Sequence, residues 1–134
     1  VYRERPYIRA VVHTHARHST VFAILKKPIP PIVYECFMLG RSTTIPLAPY
    51  GRPGTVDLAK KVAEVLKNAD CCLMESHGAI AIGESMEDAF LRAQYVEEMA
   101  ELYYMTLTAG KYNEPAVLPE DELRKWAYPE EIKF

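Results

Sequence analysis

IRAVVHTH, residues 8–15, is the stretch on which the reading of this chain turns. It is apolar and β-branched until its last residues, the pattern of a buried strand whose polar end emerges from a core. On a strand, residues i and i+2 project from one face, so His13 and His15 point together at that end. Two imidazoles so placed can chelate one metal ion, although an H-x-H pair alone is also the pattern of an ordinary polar strand end.

Downstream, Ser19 or Thr20 is placed to cap a short helix over residues 21–26, which the proline-rich segment 27–31 breaks. Residues 32–39 are apolar and fit helix or strand, with Gly40 ending them. Residues 44–48 (TIPLA) read as an edge strand, because Pro46 cannot donate to a central ladder. Pro49 to Gly54 forms a turn. Thr55 then caps a helix expected over 56–68, with apolar residues at helical spacing.

Two short strand-like runs, 71–74 and 79–82, flank Glu75-Ser76-His77-Gly78. The second histidine-bearing segment is therefore a turn, in which Gly78 lets the backbone bend tightly. Ser85 with Asp88 three residues on resembles a capping box, opening the longest helix, expected to reach about residue 108. Its predicted inner stripe is Met86, Ala89, Phe90, Ala93, Val96, Ala100, Tyr103, Tyr104 and Leu107, and Gly110 stops it. Strands mixed with helices imply an α/β or α+β domain rather than a bundle.

With 134 residues the chain suits one domain with one core, divided here as 1–110 with a tail, 111–134, that packs on its own domain or on a neighbour. A net charge of −2 gives no electrostatic reason to expect nucleic acid or an anionic membrane as partner, and no apolar run spans a bilayer. Cys36, Cys71 and Cys72 read as buried thiols in a reducing compartment, so a cytoplasmic location is expected. Sparse amides (Asn68, Asn113 and Gln94) with 10 prolines lean toward a thermophilic source. His18 reads as solvent-facing or capping. No carboxylate pair, nucleophile elbow or phosphate-cradling glycine loop is visible.

The stretches 8–34, 45–55 (IPLAPYGRPGT) and 76–104 (SHGAIAIGESMEDAFLRAQYVEEMAELYY) together resemble the class II, zinc-dependent aldolase/epimerase family, closest to its fuculose-phosphate members. That resemblance implies an α/β fold with a central, mostly antiparallel sheet flanked by helices, present here as an N-terminally incomplete domain. It implies His13, His15 and His77 as ligands of one Zn²⁺ per subunit, with Mn²⁺ or Co²⁺ as substitutes. It also implies that Tyr34 acts as proton donor in a neighbouring subunit's site, so that the working unit is a homotetramer; without it, Tyr34 reads as a packing residue. The implied substrate is a phosphorylated sugar, a ketose 1-phosphate split into dihydroxyacetone phosphate and a short aldehyde. A pentulose-phosphate epimerase, a thioribulose-phosphate dehydratase and a non-catalytic adducin-head-like binding module share the scaffold. Two departures stand out. The family's catalytic glutamate and phosphate loops lie upstream of the H-x-H strand, whereas this sequence starts twelve residues before His13, and Pro53 replaces an aromatic near the site.

Overall fold

The computed structural model describes residues 1–125. Four strands form one sheet in the order β1-β4-β3-β2. Strand β1 is Ala10–Thr14, β2 Leu47–Ala48, β3 Cys71–Met74 and β4 Gly78–Gly83. The β1–β4 and β4–β3 pairs are antiparallel and β3–β2 is parallel, so the sheet is mostly antiparallel as expected. Helices α1 (Arg17–Leu25), α2 (Val56–Val65), α3 (Met86–Ala109) and α4 (Glu120–Arg124) flank it, with a 3₁₀ helix over Tyr34–Leu39.

Period-two alternation explains why the central strands are apolar throughout. Cys71, Leu73, Ala79 and Ala81 face a core shared with α1, the 3₁₀ helix and α3. Cys72, Met74 and Ile82 face the opposite way, into a second core with Val62 and Leu66 at α2. A strand covered on both faces has no polar face to display. The first core contains Phe22 of α1 stacked on Tyr103 of α3, with ring centroids 4.8 Å apart. At the end of α2, Arg5 donates to the Leu66 and Ala69 carbonyls and pairs with Asp70 at 2.5 Å, both side chains buried.

Both long-helix caps stand where the sequence puts them: Thr55 accepts from the Leu58 N–H and Ser85 from the Asp88 N–H. Two expectations need correction. Helix α1 starts at Arg17, not after Ser19 or Thr20, because Ser19 is buried inside it and the capping acceptor comes from α3. Met86, Phe90 and Tyr104 are 59, 55 and 45% exposed rather than inward. The buried stripe of α3 is instead Ala89, Ala93, Val96, Met99, Ala100 and Tyr103. A helix lying close on β4 selects small residues, whereas hydrophobicity alone ranks the large ones first. Gly110 ends α3 where expected, at φ −81°, and the left-handed residues are Lys111 and Tyr112 just beyond.

Beyond α3, Glu114 bonds Tyr103 and Lys27, the Leu118 N–H donates to the Pro31 carbonyl, and Leu123 is buried in the first core. Residues 126–134 of the expected tail lie outside the described residues. No described helix is long and apolar enough to cross a membrane.

All three cysteines are free and buried. Burial pushes the Cys72 thiol up to about 12 and raises Cys36 and Cys71 as well. Thiols held protonated and out of solvent do not attack disulfide reagents. Ellman's reagent should therefore label none of the three in native protein and all three after denaturation; rapid native labelling would contradict this packing.

Candidate metal centre

His13 lies in β1 opposite Ile80 of β4, on the sheet face that carries Val11 and looks toward α2. His15 follows one residue after the strand ends. His77 reaches the same place from the three-residue connection Glu75-Ser76-His77 between β3 and β4. Ser76 takes the left-handed conformation (φ 55°) that such a short reversal requires. The connection is fixed from two sides: the His77 N–H donates to the Met74 carbonyl, and the Ser76 N–H to the Ala23 carbonyl in the last turn of α1.

Gly78 admits this arrangement through close approach rather than an unusual φ. A Cβ there would stand 2.3 Å from the Thr14 carbonyl oxygen and 2.9 Å from Cδ2 of His15. Only the missing side chain lets β4 come near enough to β1 for the rings to meet.

The ring centroids of His13, His15 and His77 are 4.5, 4.8 and 5.1 Å apart pairwise. One ligand nitrogen from each lies within 4.8 Å of the others. His13 donates Nδ1–H to the Ala79 carbonyl at 2.8 Å, which fixes its tautomer and leaves a lone pair on Nε2. That Nε2 is 2.9 Å from Nε2 of His15. Two lone pairs at such a distance repel unless a proton or a cation lies between them.

The ring of His77 completes the cluster, and its Nδ1 is buried and has no hydrogen-bond partner. Burial, followed by the neighbouring His13 and His15, lowers its pKa, so the ring is neutral at pH 7. Three imidazoles gathered in this way, one of them with an orphaned buried nitrogen, fit a divalent ion of borderline softness. No Asp, Glu or Cys among the described residues joins the cluster.

Beside the histidines runs a cleft of about 370 Å³ between the sheet and α2, bounded by His13, His77, Thr55, Leu58, Met74 and Ile80. Its walls are mostly apolar, with the imidazoles as polar groups at one side. Tyr34 belongs to neither feature: it starts the 3₁₀ helix, 48% exposed, and does not line the cleft. The structure thus gathers three of the four expected site residues. His18, read from sequence as solvent-facing or capping, instead pairs through Nδ1 with Glu97 of α3 at 2.9 Å. Nothing local marks Glu97, one of several acids along that helix.

Comparison with known proteins finds relatives in sequence and in fold. A 5-methylthioribulose-1-phosphate/5-deoxyribulose-1-phosphate aldolase of Rhodospirillum rubrum is 39% identical over 122 residues, covering 91% of this chain and 53% of that protein. An L-fuculose phosphate aldolase of Escherichia coli O6:H1 is 44% identical over 106 residues, 79% of this chain and 49% of its own length. The chain thus spans about half the length of the curated relatives it matches. Among solved structures, an L-fuculose 1-phosphate aldolase superposes with a TM-score of 0.83 at 31% identity, over 92% of this chain and 56% of the other. An L-fuculose-1-phosphate aldolase from Thermus thermophilus gives 0.67 at 26%, over 81 and 58%. Residues 1–104 match the family described as Class II Aldolase and Adducin N-terminal domain, and the chain belongs to that family.

Proposed function

We propose that this domain carries most of the metal site of a class II aldolase, which reversibly cleaves a ketose 1-phosphate to dihydroxyacetone phosphate and a short aldehyde. The observation that carries the reading is the convergence of three imidazoles, one with a buried and otherwise unpartnered nitrogen. His13, His15 and His77 are the proposed ligands, and Zn²⁺ the proposed ion, with Mn²⁺ or Co²⁺ able to replace it. Relatives named for three different ketose 1-phosphates support the substrate class and leave the aldehyde portion open.

When bound, the ion supplies Lewis acidity, drawing off the negative charge that appears on the ketose oxygens as the carbon–carbon bond breaks. The chain's own contribution is organisation in advance of reaction. Ala79 holds His13 in the ligating tautomer, Gly78 lets the two histidine segments approach, and the α1 carbonyl of Ala23 anchors the His77 turn. Such preorganisation is where most electrostatic catalysis originates. Tyr34, exposed and away from the cleft, is proposed to donate a proton in the site of an adjacent subunit within a cyclic homotetramer.

Purified whole protein never exposed to chelator should contain about one metal ion per chain, and His13→Ala below about 0.2 in a domain that stays folded. Full metal content in that variant would show the ligand set to be wrong. Gly78→Ala should cost about 1–3 kcal/mol by forcing β1 off β4, and should weaken metal retention as well. Urea unfolding and metal analysis read the two effects; an unchanged variant would disprove the close-approach argument. Triose phosphate release from fuculose 1-phosphate, methylthioribulose 1-phosphate or deoxyribulose 1-phosphate tests the reaction. Epimerised or dehydrated product without triose phosphate would move the assignment to the epimerase or dehydratase branch. If Tyr34 serves its neighbour, mixing His13→Ala with Tyr34→Phe subunits should restore about a quarter of wild-type activity, by random assortment around the ring. No recovery would place Tyr34 in its own subunit's site, and a fully active Tyr34→Phe protein would place it outside catalysis.

A further inference from the structure

Helix α1 starts without any cap of its own. Its N-cap is Ala16, whose side chain accepts nothing, and there is no acid in its first turn. Yet four donors at that end are satisfied, all by one carboxylate on α3. Glu97 Oε1 accepts from the His18 backbone N–H and from His18 Nδ1, both at 2.9 Å. Glu97 Oε2 accepts from the Ser19 backbone N–H at 2.9 Å and from Ser19 Oγ at 2.8 Å. Burial would raise the pKa of this half-buried group, but the four donors outweigh it and hold the carboxyl below its usual range. A charged acceptor at a helix N-terminus is also favoured by the helix dipole.

The location of this clamp matters more than its strength. Ala16, the residue it caps beyond, directly follows His15. Because α3 also packs on β1 and β4, its carboxylate ties the departure of the chain from β1 to the sheet that carries His13 and His77. Without it, two backbone N–H groups lose their acceptor, and the first turn of α1 is free to rotate. His15 sits on the hinge of that rotation, with no strand pairing of its own to hold it.

We infer that Glu97 is a positioning residue for the metal centre, setting the direction of the His15 imidazole through the N-terminus of α1. This rests on the metal reading above. Outer groups that orient ligands are commonly worth about 10–100-fold in metal affinity. Here the effect is transmitted through a main-chain cap rather than by a bond to the ring itself.

The test uses the whole protein and Co²⁺ alone as probe. Affinity is measured by competition with a chromophoric chelator, geometry by the visible d–d bands, and stability by the Tm of metal-free samples. Glu97→Gln keeps the shape but turns an amide NH₂ toward two of the four donors; Glu97→Ala removes the acceptor altogether. Both should bind Co²⁺ more weakly, Glu97→Ala by about 10–100-fold, with altered d–d bands. Ser85→Ala, which removes the α3 cap at the far side of the domain, is the control for stability lost elsewhere. It should lower Tm and leave affinity and spectrum at the wild-type values. Wild-type affinity and bands in Glu97→Gln would overturn the proposal even if Glu97→Ala failed to fold. So would a Ser85→Ala protein weakened toward Co²⁺ as much as the Glu97 variants. Wild-type protein that takes up no Co²⁺ would remove the metal reading itself, and this one with it.

Discussion

The register of β1 against β4 is the constraint from which the rest of the molecule follows. Pairing His13 with Ile80 and Thr14 with Ala79 sets the H-x-H segment beside the turn that holds His77. The same register offers the Ala79 carbonyl to His13 Nδ1. A slip of one residue would carry His13 to the opposite face, under α1 and α3, and break the cluster at once. What forbids the slip is the apolar pattern: Val11 and Ile80 belong to the α2 core, Val12 and Ala81 to the other. The site is thus specified by packing before any metal chemistry enters.

The two faces of the sheet divide the labour. The face toward α1 and α3 is filled by large interlocking groups such as Phe22, Met99 and Tyr103, and contains no cluster of ligating side chains among the described residues. The face toward α2 has a smaller core and an open, mostly apolar cleft that ends at the histidines. Polar chemistry therefore sits where an apolar wall meets the sheet end, an arrangement in which charges interact more strongly than they would in water. Curated relatives align with this region over about half of their own length.

Much of this was legible in the residues because it is local. Short apolar runs mark β1, β3 and β4, and Thr55 and Ser85 announce their helices through side chains that cap within three residues. The projection of His13 and His15 to one side follows from strand geometry alone. What was not legible depends on contacts distant in sequence. The true start of α1 hinges on Glu97, 78 residues after Ser19. The inner stripe of α3 is chosen by how near it lies to β4, which no hydrophobicity scale knows. Residues 32–39 fit either regular pattern and become a 3₁₀ turn from Tyr34 onward. Gly78 was readable as a bend, whereas its role as a gap for the Thr14 carbonyl is visible only with both strands in view.

Helix α1 joins the two ligand-bearing segments at its opposite ends: its N-terminus continues from His15, and its last-turn carbonyl of Ala23 holds the reversal at Ser76. It works as a ruler of nine residues. Adding or deleting one would turn its far end by about 100° and shift it by about 1.5 Å. Length variation in descendants of this sequence should therefore be purged from residues 17–25.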